Sequence, residues 1–563
     1  MRSRFLLVAL FLLAGAAAAA QTPPDASATA RVDELFRKMD TTVTPGCALA
    51  VMKDGHIVYE RGYGMADLDH NVPITPATVF HVASMSKQFT AASIVLLEQQ
   101  GKLSFDDPVR KYVSELPDFG VPITIRQLVH HTSGLRDQWD LLDLSGWRYS
   151  LDLITDDDVL YVVGKQRELN FPPGSRHLYS NTGYTLLGQV VKHVSGQSLR
   201  EFTTANIFAP LGMKNTHFRD DHAEIVKNMA YGYEPDKDTF RISITNFDTV
   251  GATSLLTTVE DLALWDENFY HPRVGGDALV KQMLERGKLA NGEQLSYAFG
   301  LEVGEYHGLK TVDHGGADAG YRSDMIRFPD QHFSVACLCN ASDANPSSLT
   351  RKVAEIYLDK EMKSAAVADD QKTVALTPAQ LNAMVGTYME ADGDQIFRFT
   401  VTDGKPQVVL GMGDYSIDLK PIGENLFRLI DSTTRLRFQP AGQDGILRLT
   451  VEDDGQAPRD FSEVTAFAPS PAQLSEYAGV YRSPELDPAY ELTVDRNTLV
   501  LHRLKNKPDT LQPVTLDLFS ANVGTLRFTR TPQGKISGFL LNTGRVKNLR
   551  FEKSARRADP RSG

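Results

Sequence analysis

The chain has little cysteine, no tract of basic residues, and no long apolar run beyond its first twenty positions. Its 563 residues include three cysteines, Cys47, Cys337 and Cys339, too few for a disulfide framework. The odd number leaves at least one thiol unpaired. Cys337 and Cys339 share one strand face at i and i+2, an awkward placement for a mutual bond, so buried thiols are expected. With 59 Lys and Arg against 71 Asp and Glu, the net charge is −12. An acidic, tract-free surface argues against nucleic acid or an anionic membrane as partner. There is no Gly-x-Ser-x-Gly elbow and no His-Glu-x-x-His zinc motif, so two large hydrolase classes lack their signatures.

The apolar run that does exist, Phe5 to Ala14, follows Arg2 and Arg4 and leads to Ala18-Ala19-Ala20 before Gln21. A positive start, a short apolar core and an Ala-x-Ala site read as a secretory signal over residues 1–20. The run is too short and alanine-rich for a membrane span. No cysteine follows the cleavage point, so no lipid anchor is expected there. The expectation is an exported protein, periplasmic or secreted, with no stable membrane anchor after signal removal. Apolar content of 42% and charged content of 23% are those of a globular chain, and the length implies two to four domains.

Ala48 to Tyr59 reads as a hairpin turning at Asp54-Gly55. Helical patterns dominate from about Ser84 to Trp265. Strand patterns return near Thr311 to Asp313, Ser323 to Phe328 and Phe333 to Cys339. Strands at both ends with helices between imply one sheet built from distant segments, an α+β layer architecture. Beyond a linker at Ser364 to Asp370 an internal repeat begins. Thr377-Pro-Ala-Gln-Leu381 recurs as Ser470-Pro-Ala-Gln-Leu474, and Val385-Gly-Thr-Tyr388 as Ala478-Gly-Val-Tyr481. Each unit pairs a short helix with many alternating strands, the pattern of a small β-barrel or sandwich. The expected divisions are a signal at 1–20, a first domain at 28–362, and repeats at 374–467 and 468–555.

The chemistry concentrates at Ser84-Met85-Ser86-Lys87, the chain's one Ser-x-x-Lys. Positions i and i+3 share a helix face, so Lys87 can reach the Ser84 hydroxyl, and serine needs such a neighbouring base to act as a nucleophile. The apolar run that follows, Phe89 to Leu97, reads as a helix stopping near Gly101. Ser84 then lies at a helix N-terminus, where free N–H groups favour developing negative charge. Tyr179-Ser180-Asn181, the one Tyr-x-Asn, follows the turn-rich Phe171-Pro-Pro-Gly174. A phenol is inert as a base unless cations stabilise its anion, which Lys87 is placed to do, so Lys87 and Tyr179 both stand as the principal base. Asn181 is expected to orient Lys87 or a substrate carbonyl. His314-Gly315-Gly316-Ala317 reads as a strand end whose glycines admit a substrate backbone. His314 offers a neutral or cationic edge, and the Ala317 N–H joins that of Ser84 as an oxyanion hole. His130-His131 reads as an ordinary loop pair, since adjacent residues do not share a face and no carboxylate completes a metal site.

Together these elements resemble, in their order, the serine β-lactamase-related hydrolases of the class C β-lactamase and penicillin-binding-protein fold. The flanking stretches Phe80 to Thr90, Ile123 to Leu135, Ile207 to Met213 and Glu260 to Trp265 are similar as well, so the resemblance spans roughly residues 30 to 360. It implies a β-lactamase/transpeptidase-like catalytic domain, an antiparallel sheet flanked by a helical region, followed here by two small antiparallel β-barrels. It also implies Ser84, Lys87 and Tyr179 as catalytic and Asn181, His314, Gly315, Gly316 and Ala317 as substrate-binding, with no metal or organic cofactor. The third element of β-lactamases is usually Lys-Thr-Gly, and its lysine helps hold the substrate carboxylate. His314-Gly315-Gly316 resembles instead the version found in D-aminopeptidases, some of which carry two C-terminal lipocalin-like barrels. The implied activity is cleavage of an amide or ester in a peptide or other small substrate, as by a D-aminopeptidase or DD-peptidase. A carboxylesterase, a weak β-lactamase and a non-catalytic penicillin-binding sensor are the alternatives.

Overall fold

The computed structural model describes residues 26–554 except 364–372, 391–394, 411–415, 431, 433, 453–457 and 466. The leader at 1–20 and the linker at Ser364 to Asp370 lie outside the described residues.

A six-stranded antiparallel sheet organises the first part of the chain. Its strands are β1 (Cys47–Lys53), β2 (His56–Tyr63), β3 (Glu302–Tyr306), β4 (Leu309–Asp318), β5 (Tyr321–Phe328) and β6 (Phe333–Cys339). They lie in the order β3-β4-β5-β6-β1-β2, so β1 from the N-terminus closes against β6 from almost 300 residues later. The sheet from sequence-distant segments is as expected. Asp54 and Gly55 turn the first hairpin with φ of 50° and 76°, the doubly left-handed turn that matches strand twist. β1 and β6 are buried along almost their whole length, because layers cover both sheet faces. One is made by α1 (Ala26–Phe36) and α4 (Pro346–Tyr357), the other by the inserted helices α2 (Ser86–Gln99) and α3 (Asn181–Ser195) with their neighbours.

The expected set of buried thiols needs correction. Cys47 and Cys339 are direct register partners across β1 and β6 and form a disulfide, leaving Cys337 free and buried. Comparing Cys337 with Cys339 along one strand missed the partner on the adjacent strand, where facing side chains lie closest.

The two repeats each close into an eight-stranded antiparallel barrel. The first runs from Gly386–Glu390 to Arg459–Val464, the second from Gly479–Arg482 to Val546–Lys553. Each opens with a short helix capped in the same way. Thr377 and Gln380, then Ser470 and Gln473, form reciprocal capping boxes with proline in the first turn, which satisfies otherwise unpaired N–H groups. The repeated tyrosines also match: Tyr388 donates to the Met384 carbonyl at 2.7 Å and Tyr481 to that of Tyr477 at 2.6 Å. Aromatic rings fill the interiors. Tyr388, Phe399, Phe427 and Phe438 pack edge to face with centroids 4.9–5.6 Å apart in the first barrel. Each such pair adds about 0.5–1.5 kcal/mol beyond simple burial.

The barrels attach differently. Rings and aliphatic side chains of the second barrel belong to the same hydrophobic core as the helical layer around α2 and α3. The first barrel has its own core, and meets the second through Ile396, Val514 and Leu518.

Candidate active site

Ser84 lies in a single 3-10 turn, Ala83–Met85, that runs straight into α2. From Thr78 to Leu97 every residue except Ser84 is buried. A helix apolar on all sides has no solvent face to offer, so the one partly open position on it opens into a cleft. The turn is held under constraint. Ala83 has φ of 49°, a left-handed conformation costly for a residue with a Cβ. Ser86 braces it by donating to the Ala83 carbonyl at 2.5 Å while accepting the Leu255 N–H at 3.0 Å. The second serine of the motif is therefore structural.

Lys87 is fully buried and makes three hydrogen bonds. Its Nζ donates to Ser84 Oγ at 3.0 Å, Asn181 Oδ1 at 2.8 Å and the Ala252 carbonyl at 2.7 Å. All three partners are uncharged, so nothing at contact distance compensates the lost hydration of an ammonium. Burial brings Lys87 down to about 7, against weaker upward pulls from Asp318 and Asp137. Near neutral pH a large share of this amine is unprotonated and able to accept the Ser84 proton.

Asn181 opens α3. Its backbone N–H and its side-chain Nδ2 both point to one oxygen of Asp137, which is wholly buried. That pair of bonds leaves Oδ1 as the face presented to Lys87.

Tyr179 stands beside both groups, its ring centre 4.8 Å from Lys87 Nζ. Its buried hydroxyl makes no hydrogen bond, and the Ser84 hydroxyl stands near it without meeting hydrogen-bond geometry. Burial pushes this phenol well above its ordinary range, against smaller downward pulls from Ser84 and Arg545. Of the two candidate bases, Tyr179 is thus the one whose protonated form is favoured, because desolvation outweighs the nearby cations. His131 fixes the ring. It stacks on Tyr179 with centroids 4.2 Å apart, and its Nδ1 accepts the Ser180 N–H at 3.1 Å. The loop pair dismissed in the sequence supports the site through His131.

The third element lies in the middle of β4, whereas the sequence placed His314 at a strand end. Its Nδ1 is 2.6 Å from the Gly315 carbonyl oxygen and so carries the proton, which leaves Nε2 to accept from the Tyr297 hydroxyl at 3.1 Å. Burial holds His314 down to about 4, with Lys87 adding to the effect. Burial therefore favours the neutral form of this wall near neutral pH. Gly316 has a steric reason. A Cβ there would stand 2.3 Å from the Val82 carbonyl oxygen and 3.0 Å from the Ala83 Cβ, so β4 crosses directly against the turn that carries Ser84. Gly315 is looser, its nearest such neighbour being 3.3 Å away.

Ser84, Tyr179, Asn181, His314, Gly315, Gly316 and Ala317 all line one cleft of about 620 Å³, with Lys87 buried beneath Ser84. Three residues at this site were missed in the sequence. Asp137 lies two positions beyond the matched segment ending at Leu135, and that nearness was its one available signal. The Ala252 carbonyl has no side-chain signature. Arg545 comes from the second barrel and lines the cleft; nothing local marks it.

Comparison with known proteins agrees with this geometry. The Beta-lactamase family model matches residues 32–358. Penicillin-binding protein 4* of Bacillus subtilis (strain 168) is 29% identical over 428 residues, 73% of this chain and 93% of that protein. A D-aminopeptidase of Gluconobacter oxydans (strain 621H) is 25% identical over 462 residues, 80% of this chain and 82% of its own. Among solved structures, the octameric penicillin-binding protein homologue from Pyrococcus abyssi superposes with a TM-score of 0.54 at 25% identity, covering 78% of this chain and 98% of that one. With the match extending over more than half its length, the chain belongs to the beta-lactamase family of serine hydrolases.

Proposed function

We propose that the protein is an exported serine hydrolase that cleaves an amide or ester through an acyl-enzyme on Ser84, acting as a D-aminopeptidase or DD-peptidase-like enzyme on small D-amino-acid peptides. The observation that carries this reading is the short contact between a partly open serine and a buried lysine brought down to about 7. Lys87 in its amine form takes the Ser84 proton as Oγ attacks the carbonyl carbon. The Ser84 and Ala317 N–H groups receive the oxyanion. Tyr179, holding its proton and lacking a partner, delivers a proton to the leaving nitrogen or oxygen. The Lys87 ammonium, beside the Tyr179 ring, returns a proton to the phenolate so that both groups regain their starting forms. Water then attacks the acyl-enzyme carbonyl, Lys87 takes its proton, and the departing Ser84 Oγ recovers that proton. Between Lys87 and Tyr179, the amine is the better base, since the phenol is too weakly acidic to be found ionised.

The His314-Gly315-Gly316 strand favours peptidase over β-lactamase chemistry, because it resembles the D-aminopeptidase version of this element and not Lys-Thr-Gly. The relatives named D-aminopeptidase support the same choice. Export is supported by the signal-like leader and by the Cys47–Cys339 disulfide, a bond that persists in oxidising compartments.

An active-site serine probe is expected to label Ser84, and Ser84→Ala to abolish turnover of D-alanyl p-nitroanilide and of p-nitrophenyl acetate while the protein stays folded. Retention of wild-type hydrolysis by Ser84→Ala overturns the assignment.

A further inference from the structure

The lining of the Ser84 cleft carries three charged side chains, Asp318, Arg322 and Arg545. Asp318 is occupied: one carboxylate oxygen accepts from the Tyr149 hydroxyl and the other from that of Thr253. Arg322 is turned on its own hairpin, with Nη1 donating to the Ala319 and Tyr321 carbonyls at 2.9 and 2.7 Å. Arg545 differs from both. Its guanidinium lies 5.6 Å from the centre of the Tyr179 ring, and among the described residues its one ion-pair contact is Asp137, at 3.7 Å, beyond hydrogen-bond length; its side chain is one-third exposed and lines the cleft. Both Asp137 oxygens are already taken by N–H groups, from Asn181 and from Trp139. Among the described residues no group accepts a hydrogen bond from the fork of Arg545, which leaves its N–H groups for a ligand.

It is also held in place. Arg545 sits in the tight turn between the Ile536–Thr543 and Val546–Lys553 strands of the second barrel, and the catalytic unit grips the backbone on each side. The Arg545 N–H donates to Asp140 Oδ2 at 2.7 Å, and its carbonyl accepts from Asn170 Nδ2 at 2.8 Å and from the Asp137 N–H at 3.3 Å. Asn170 also accepts the Lys547 N–H at 2.8 Å. Gly544 has φ of 36°, and a Cβ there would meet the Asp140 carboxylate at 2.8 Å. A backbone anchored at this many points delivers its side chain with little ordering cost on binding.

Resting on the peptidase reading above, we infer that Arg545 is an anion subsite of the Ser84 cleft, supplied by the second barrel, that takes the carboxylate of a small peptide substrate. A planar guanidinium with free N–H groups matches a carboxylate bidentately. The strand wall on the other side offers His314 without charge, so recognition of that carboxylate falls to the barrel. The second barrel is then part of the substrate site, which accounts for its sharing a core with the helical layer while the first barrel does not.

The test uses the full-length protein with p-nitrophenyl acetate hydrolysis as the reporter. D-alanyl-D-alanine and D-alanyl-D-alaninamide serve as competing ligands, differing only in the terminal carboxylate. In wild type the free dipeptide is expected to bind roughly tenfold more tightly than its amide, the scale of one charge-assisted contact. Arg545→Ala should bring the ratio of inhibition constants near one, and Arg545→Lys should keep part of it. A wild-type ratio near one, or a ratio unaltered in Arg545→Ala, overturns the proposal. If Arg545→Ala does not fold, the wild-type and Arg545→Lys ratios decide. Loss of the acetate reaction in Ser84→Ala bears on the acyl-enzyme alone, so the two readings fail separately.

Discussion

One oxygen of Asp137 receives both N–H groups of Asn181, at 2.6 Å from the backbone and 3.0 Å from the side chain. The other oxygen receives the Trp139 N–H at 3.0 Å. Both oxygens of this carboxylate therefore face donors, and the arrangement decides which end of the Asn181 amide meets Lys87. Asp137→Ala leaves buried donors unpaired, each at a cost of about 1–3 kcal/mol, and frees the amide to turn its NH₂ toward the lysine. Asp137→Asn should be almost as harmful despite its shape, because its own NH₂ must then face an N–H on one side or the other. Both variants are expected to lose roughly 10–100-fold in kcat, the scale of a misplaced catalytic group, with a smaller change in KM. Steady-state kinetics on folded protein checks this. An Asp137→Asn enzyme with wild-type kcat removes the orienting role.

The lysine sets a pH dependence whose sign follows from its burial. A base whose folded pKa lies near 7 is mostly protonated below that pH and mostly free above it. As the acid form cannot take the Ser84 proton, kcat/KM should rise through about pH 7 and level off above it, falling about tenfold per pH unit on the acid side. The histidines facing the site do not supply this limb, since burial holds both His131 and His314 below their ordinary range. Asn181→Asp would place a carboxylate where Oδ1 now meets Nζ at 2.8 Å, favour the ammonium, and shift the limb upward by one pH unit or more. A wild-type profile that is flat from pH 5.5 to 8.5 contradicts the assignment of the base.

Gly315 and Gly316 are adjacent in the sequence yet should respond very differently to alanine. At Gly316 the added methyl would meet backbone and Ser323 Oγ at 2.3 and 2.5 Å, and the backbone belongs to the turn carrying Ser84. At Gly315 the closest atom is 3.3 Å away, a contact that small shifts relieve. Gly316→Ala is expected to cost about 1–3 kcal/mol of stability, typical of overpacking, and most of the activity, because the displaced element is the nucleophile's own. Gly315→Ala should stay within about 1 kcal/mol of wild type. Thermal denaturation and probe labelling of Ser84 give the comparison, and equal behaviour of the two variants speaks against the close crossing of β4.

What was readable in the sequence was what is local or periodic. Ser84 and Lys87 lie one turn apart, Tyr179 and Asn181 two residues apart, and the barrels announce themselves because Thr377 to Leu381 is rewritten as Ser470 to Leu474. The sheet emerged from alternating strands on either side of the helices. What escaped depends on contacts that no spacing records. Arg545 reaches Asp140 across 405 residues, and Cys47 meets Cys339 across 292. The charge state of Tyr179 escaped for another reason: it turns on how completely the phenol is desolvated, and three-dimensional packing alone determines that. His131 was discounted because adjacent histidines make a poor metal pair, a sound argument that did not address its stacking role.

The union of the second barrel with the catalytic unit rests on a buried ion pair as well as on apolar contact. Arg136 Nη1 donates to Glu485 Oε2 at 2.6 Å, and the two side chains are 0% and 2% exposed. The same Nη1 donates to Gln166 Oε1 at 2.9 Å and Nη2 donates to the Lys547 carbonyl at 3.0 Å, so the arginine is satisfied on several sides by groups that cannot follow it into solvent. Glu485→Ala strands a buried cation, an event that costs about 3–5 kcal/mol, and Glu485→Gln, which keeps an acceptor, should cost less. The damage should also reach the active site. Arg136 immediately precedes Asp137, and its carbonyl accepts the Thr182 hydroxyl at 2.7 Å beside Asn181. Thermal unfolding followed by circular dichroism, together with acetate turnover, should therefore show stability and rate falling together in Glu485→Ala. A variant that melts with wild type, or that loses stability while its kcat is untouched, would mean that the barrel is joined to the site less intimately than these bonds imply.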